Sequence, residues 1–271
     1  MRNKRIDFFT NPHKPEAVNG LREAIHIALR HGYTCGAEER VASYLGNLVE
    51  GEGREADLVV ALGGDGTILM AASLAIQKRA PLLGINFGRI GFLSEISLQE
   101  FDAALTRIEN GDYMLEPHMM LRCDVNGQFG HLCLNDAFFT KSVSSGVVGV
   151  HVEIDGADAG TVFGDGVVVS TPTGSTAYSM SAGGPVISPG LDAILVTPIC
   201  PHTFSFRPIV AAAGATMRLS VTGDGCLVLD GTNVASLTHN DVVEIRRSAE
   251  NVQFIRFDRK NFYALIREKL S

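Results

Sequence analysis

Five cysteines, an odd number with no C-x-x-C pair among them, give this 271-residue chain neither a disulfide framework nor a zinc knuckle. Cys35, Cys123, Cys133, Cys200 and Cys226 are therefore expected to be free thiols in a reducing compartment. Positive charge is also scarce: 23 Lys and Arg stand against 30 Asp and Glu, a formal net charge of −7. A protein that grips a phosphate backbone carries a basic surface, so nucleic acid is not an expected partner. A single nucleotide stays within reach, because backbone N–H groups and a metal ion bind phosphates locally. No apolar run approaches the ~20 residues that span a bilayer. The opening MRNKRIDFFTNPHKP meets Pro12 before a signal-like apolar core develops. The expectation is a cytoplasmic protein with no membrane partner. His118, His131 and His151 show no H-x-x-x-H spacing, and Ser175 has no G-x-S-x-G setting. Zinc and serine-hydrolase chemistry are thus not indicated, and His202 reads as structural.

What is present is the balance of a globular protein, 45% hydrophobic and 20% charged, without repeats or low-complexity segments. The first part alternates short apolar runs with helical periodicity. Ile6–Phe9, Asp57–Leu62 and Pro81–Asn86 predict strands, the last two buried. Pro15–His31 predicts a helix with Ala17, Leu21, Ala24, Ile25, Ala28 and Leu29 on one face; helices also follow Thr67 and span Leu98–Ile108. Such alternation predicts an α/β layer with a parallel sheet. Near Pro117 the texture changes to short β-rich runs with hairpin dipeptides at Asn126-Gly127 and Asp155-Gly156. Strands are predicted at 150–154, 167–170, 217–221, 227–229, 242–245 and 252–257, a density that fits an all-β, sandwich-like domain. Asn261–Leu270 reads as a helix. The expected organisation is an α/β domain over residues 1–116, a β-sandwich domain over 117–257, and a C-terminal segment, 258–271, packing back on the first.

Three segments carry the chemistry. Gly63-Gly64-Asp65-Gly66-Thr67 joins the DLVVAL strand to a helix. Open α/β sheets bind ligands at the carboxyl ends of their strands, and glycines there let phosphates approach the backbone at a helix N-terminus. A carboxylate in that place suits a group that accepts a hydroxyl proton or helps hold a metal; a tight turn with Asp65 as helix N-cap is the plain alternative. No lysine follows in P-loop fashion. Asp165-Gly166 leads through a strand into Ser170-Thr171-Pro172-Thr173-Gly174-Ser175-Thr176-Ala177-Tyr178, where small hydroxyls and a ring suit a nucleoside, or form an ordinary loop. Leu134-Asn135-Asp136 offers an amide for a base edge and a carboxylate for ribose hydroxyls, or a simple strand-end turn.

GGDGT, then NFGRIGFL (Asn86–Leu93), then LND, then DGVVVSTPTGSTAYSMSAGGP, in this order and spacing, resemble the NAD kinase family over nearly the whole chain. STPTGSTAY is the specific element; GGDGT is shared with diacylglycerol and sphingosine kinases and is similar to a phosphofructokinase motif. On GGDGT alone a lipid kinase stays open, and a non-catalytic NAD-sensing module is the other rival. The resemblance implies phosphoryl transfer to the 2′-hydroxyl of the adenosine ribose of NAD, giving NADP. It implies ATP as donor, with other nucleoside triphosphates or polyphosphate open, and Mg²⁺ or another divalent cation. It implies a homotetramer or homodimer. It makes Asp65 the catalytic base. It places Asp65, Gly66, Asn135, Asp136, Asp165, Thr173, Thr176, Ala177, Tyr178, Ser181 and Cys200 in the NAD site. The donor phosphates are expected at Gly63, Gly64, Gly66 and Thr67, and no metal ligand is assigned. Two departures stand out: Phe163 lies where many relatives carry an arginine, and Gly231 where relatives often have a polar residue.

Overall fold

The computed structural model describes residues 4–12, 15–51, 53, 55–87, 91–142, 146–202, 206–258 and 262–270. Two compact units emerge. One takes the chain up to Pro117 together with the stretch from Val252 onward, and the other is His118–Asn251. Residues 252–257, expected with the β domain, thus belong to the first unit.

The first unit holds β1 (Arg5–Thr10), α1 (Pro15–Arg30), β2 (Thr34–Ala37), α2 (Glu39–Ala42), β3 (Leu58–Leu62), α3 (Asp65–Lys78), β4 (Leu82–Asn86), β5 (Ile96–Ser97) and α4 (Phe101–Glu109). β4, β3, β1 and β2 lie side by side and parallel, and every residue of β1, β3 and β4 is buried, as a sheet covered by helices requires. The core gathers Ile6, Phe8, Leu21, Ile25, Val60, Leu62, Ile85 and Phe101, with the Phe8 and Phe101 rings edge to face at 6.4 Å. Leu29, expected on the inner face of α1, is exposed instead, and Ile27 is buried.

The second unit is built almost wholly of antiparallel strands. It runs through β6 (Met114–Val125), β7 (Gln128–Cys133), β8 (Asp136–Lys141), β9 (Val148–Ile154), β10 (Ala157–Gly164), β11 (Gly166–Ser170) and α5 (Tyr178–Ser181). It continues through β12 (Ala193–Ile199), β13 (Ile209–Ala212), β14 (Met217–Val221), β15 (Gly225–Leu229), β16 (Thr232–Leu237) and the part of β17 (Val242–Arg256) that precedes Val252. β13-β12-β11-β8-β15-β16 form one sheet, and β10-β9-β14-β17 face it. Phe139, Val167, Val169, Ile194 and Val196 of the first sheet share a core with Val150, Val152, Met217, Leu219, Val243 and Ile245 of the second, which makes the sandwich. Asn126-Gly127 and Asp155-Gly156 turn their hairpins with positive φ at both residues (51° and 75°, 52° and 79°), as the dipeptides lead one to expect.

β17 corrects one expectation. Residues 242–245 and 252–257 read as separate strands around a polar RRSAEN, yet the backbone stays extended from Val242 to Arg256. Its inward positions are Val243 and Ile245, then Ser248, Val252 and Phe254, so the alternation shifts by one residue between Ile245 and Ser248, where the Ser248 hydroxyl accepts the Glu250 N–H at 3.1 Å. The last helix, α6 (Phe262–Leu270), belongs to the first unit, its Phe262 ring 6.4 Å from that of Phe92. Asn261, with which that helix was expected to start, lies outside the described residues. Among the described residues no helix is long and apolar enough to cross a membrane.

Candidate functional site

In the first unit the site begins where β3 ends. Gly63 is buried and its N–H donates to Ile85 O at 2.8 Å, so the chain leaves the sheet still tied to β4. A Cβ on Gly63 would stand 2.5 Å from Thr67 Oγ1, which is why only glycine fits beneath that side chain. Gly64 is the N-cap of α3 and Asp65 its first residue, so Asp65 is not the cap that a plain-turn reading would make it. Its carboxylate turns to the loop after β4: Oδ2 accepts the Phe92 N–H at 2.8 Å and Oδ1 the Leu93 N–H at 3.1 Å. Each oxygen keeps a second lone pair. Gly91 lies against the same group, since a Cβ there would come within 1.9 Å of Oδ1. Gly64 and Gly66 are exposed and have open space where a Cβ would be. The first N–H groups of α3 have no acceptor within the helix, so an anion can meet bare backbone at this turn. Of the NFGRIGFL motif, Gly88, Arg89 and Ile90 lie outside the described residues.

In the second unit Leu134, Asn135 and Asp136 form the entry to β8, and a residue from another hairpin organises them. Asp230, at φ 48° in the β15–β16 turn, accepts the backbone N–H groups of Leu134 (2.7 Å), Asn135 (2.8 Å) and Asp136 (3.1 Å). Thr171 closes the other side: its Oγ1 donates to Leu134 O at 2.6 Å and its N–H to Asn135 O at 2.9 Å. Gly174 packs on that turn so closely that a Cβ would sit 2.1 Å from Asn135 O. The result is a rigid two-residue platform. Asn135 Oδ1 is buried there without a hydrogen-bond partner, and the Asp136 carboxyl, 7% exposed, is pushed up to about 7 by burial first and by the Asp230 charge second. Burial also raises Asp230, against the three N–H groups that favour its charged form.

Strand register brings the remaining groups together. Gly166 pairs with Thr140 on one side and Ile199 on the other, which sets Asp165, Lys141 and Cys200 side by side at the strand ends. Lys141 Nζ lies 2.6 Å from Asp165 Oδ1, and this hydrogen bond, then the lysine's charge, holds the Asp165 carboxyl below the usual range; the Cys200 thiol adds a further hydrogen bond. The exposed Tyr178 packs edge to face on Phe138 at 4.9 Å. Its hydroxyl is pushed up by burial first, then by Cys200, Asp165 and Asp136, so all three lie near it.

The hydroxyl-rich loop is less available than its composition suggests. Ser175 Oγ donates to Pro172 O and accepts the Ile187 N–H, Thr176 Oγ1 donates to Thr173 O, and Ser179 bonds Thr197. Thr173 Oγ1 lies 2.9 Å from His118 Nδ1. These bonds mostly shape the loop itself, leaving Ala177, the Tyr178 ring and the exposed Ser181 as surface it presents. Lys141, Thr171 and the clamping role of Asp230 are what sequence reasoning missed. The resemblance marked Asp230 as a kept carboxylate but gave it no role, and pairing register, invisible in a single chain, governs Lys141.

Among the described residues no three His, Cys, Asp or Glu side chains are grouped to hold a metal ion. Mg²⁺ rarely needs such a cage, because it keeps waters and binds through one or two carboxylates plus substrate phosphates. A single carboxylate with lone pairs to spare, Asp65, fits that pattern.

Comparison with known proteins gives the family. The ATP-NAD kinase N-terminal domain model matches residues 6–113 and the C-terminal domain model residues 134–257. Among curated relatives, the NAD kinase of Geotalea daltonii is 36% identical over 278 residues, 98% of each chain. That of Moorella thermoacetica is 39% identical over 277 residues, 98% of this chain and 89% of its own. Among solved structures, the yeast NADH kinase complexed with NADH superposes with a TM-score of 0.90 at 24% identity, covering 99% of this chain and 87% of that one. An NAD kinase from Archaeoglobus fulgidus in complex with ATP gives 0.73 at 24% identity, over 97% and 98% of the two chains. At that identity the structural likeness speaks for the fold.

Proposed function

The chain belongs to the NAD kinase family, and we propose that it transfers the γ-phosphoryl group of ATP to the 2′-hydroxyl of the adenosine ribose of NAD, with Asp65 as general base. The observation that carries this reading is the carboxylate of Asp65 at the head of α3, oriented by Phe92 and Leu93 N–H groups beside two exposed glycines. In line with a loose transfer, the protein has little covalent work to do and acts by positioning and by accepting one proton.

Asn135 and Asp136 bind the adenosine of NAD. The buried, unpaired Asn135 Oδ1 takes a base N–H donor, and Asp136 takes ribose hydroxyls. Asp165, Thr173, Thr176, Ala177, Tyr178, Ser181 and Cys200 complete the dinucleotide site, with the Tyr178 ring as its apolar face. Gly63, Gly64, Gly66 and Thr67 line the turn that serves the donor phosphates at the start of α3, through the N–H groups not already given to Ile85 O and Gly64 O. Mg²⁺, or another divalent cation, would ride on the donor's phosphates with Asp65 as the chain's candidate carboxylate, and when bound it neutralises phosphate charge. The ATP held by the archaeal relative supports ATP as donor, and the NADH held by the yeast relative makes the reduced dinucleotide a second acceptor to test. A homotetramer or homodimer in the cytoplasm belongs to the same reading; light scattering on the purified protein checks the assembly.

The test incubates the protein with NAD, ATP and Mg²⁺ and follows NADP with an NADP-specific dehydrogenase, with Asp65→Asn beside it. NADP that disappears in the variant, while NAD binding persists, is the expected result. Near-normal turnover in the variant removes Asp65 from the base role. No NADP from the folded wild type with any nucleoside triphosphate or polyphosphate, despite NAD binding, leaves a sensor.

A further inference from the structure

We propose that Arg256, on the last strand, is a positioning residue for Asp65: it holds the loop whose backbone orients the carboxylate. The inference rests on the base role of Asp65 argued above and concerns what keeps that base in place.

Residues 91–95 form an irregular segment after β4 and its following loop, and irregular backbone holds a geometry only if something ties it down. Here it is tied at each residue that matters. Gly91 N–H donates to Ser94 Oγ at 2.7 Å, and Glu95 N–H donates to Gly84 O at 2.8 Å. Leu93 stands at the centre. Its N–H binds Asp65 Oδ1 at 3.1 Å, and its carbonyl accepts from Arg256 Nη1 at 3.2 Å. One residue, Leu93, therefore separates the buried guanidinium from the carboxylate it serves.

Arg256 is 7% exposed and is gripped on every side. Nη1 also reaches Glu95 Oε2 at 3.2 Å, Nε binds Glu116, and the guanidinium lies over the Phe254 ring at 5.2 Å. The second oxygen of Glu95 accepts the Phe257 N–H at 3.0 Å, which fixes that carboxylate in turn. A buried ion network of this kind is a poor device for stability, because apolar residues of similar volume often do as well. It is a good device for placing a carbonyl, since the planar fork meets a carbonyl and two carboxylates at once. Lysine keeps the charge but, as a single point on a flexible stem, cannot span all three acceptors.

The experiment measures kcat and KM for NAD and for ATP, with melting temperature, in Arg256→Lys. The expected result is a kcat lower by about tenfold, the scale of a sub-ångström misplacement of a reacting group, with both KM values within a factor of about two and the fold intact. The same substitution in the Asp65→Asn background is expected to cost nothing more, because the residual turnover no longer uses the carboxylate. An unchanged kcat, a loss confined to KM, a fall explained by a smaller folded fraction, or an equal loss in the Asp65→Asn background would each overturn the proposal. Asp65→Asn alone tests the base: normal turnover there fails that reading, whereas its loss beside a normal Arg256→Lys fails only this one.

Discussion

The carboxylate of Asp230 stands 2.8 Å from the backbone nitrogen of Asn135, and the same group takes the N–H of each neighbour. A carboxylate has acceptor sites for all three donors; an amide turns one oxygen into an NH₂ that faces N–H. Asp230→Asn should therefore unmake the platform. A buried donor left unpaired costs about 1–3 kcal/mol, so a drop of that order in urea-measured stability is expected, with a raised KM for NAD and a smaller change in kcat.

Asp136 ties stability to pH. Its carboxyl is raised from 3.8 to about 7, so the folded chain holds a proton that the unfolded chain has lost across that window. The stability this one group contributes is full below pH 4, is lost as pH rises, and is gone above about 7, a span of roughly 4 kcal/mol at most by linkage. Asp136→Asn should flatten that part of the profile and leave the protein more stable than wild type at pH 8. Thermal melts from pH 4 to 8 decide it, and a variant that keeps the wild-type slope moves the effect elsewhere.

Two glycines are expected to fail as alanines for different reasons. In Gly174→Ala the new methyl meets the Asn135 carbonyl at 2.1 Å, backbone that cannot swing aside, so lower stability and a higher KM for NAD should appear together. In Gly91→Ala it meets the Asp65 carboxylate at 1.9 Å, which can rotate away. There the loss should fall on kcat, with the melting temperature nearly kept.

Lys141→Met removes the cation that holds Asp165 ionised. The Asp165 carboxyl should then protonate at a higher pH than in wild type. If it binds NAD, the acid-side rise in KM moves toward neutrality, while the wild-type pair shows the salt sensitivity of a half-exposed ion pair. A KM profile indifferent to the substitution would separate Asp165 from the dinucleotide.

Much of this was legible in order along the chain. LVVAL before two glycines gave a buried strand meeting a helix, and the Asn-Gly and Asp-Gly pairs gave hairpins, because local backbone chemistry alone decides those features. What sequence reading could not reach depends on partners far away in the chain. Asp65 read equally well as a helix cap until Phe92 and Leu93, 27 and 28 residues on, were seen to bind it. The hydroxyls of Ser175 and Ser179 looked available until Ile187 and Thr197 claimed them. RRSAEN read as a break because its polarity is local, yet the backbone stays extended through Ser248, which is buried.

One further consequence lies in the thiols. Cys35, Cys123 and Cys133 are buried, Cys226 is half-covered, and Cys200 is exposed at a left-handed φ of 44°. Burial pushes Cys35 up to about 12, and the hydrogen bond with Cys123, then burial, raises Cys133, so neither offers a thiolate at neutral pH. A limiting amount of a maleimide dye should therefore mark a single position. Because that position touches Asp165 and lies near Tyr178, a dinucleotide bound there as proposed should slow its labelling: an optical reading of occupancy that needs neither donor nor turnover.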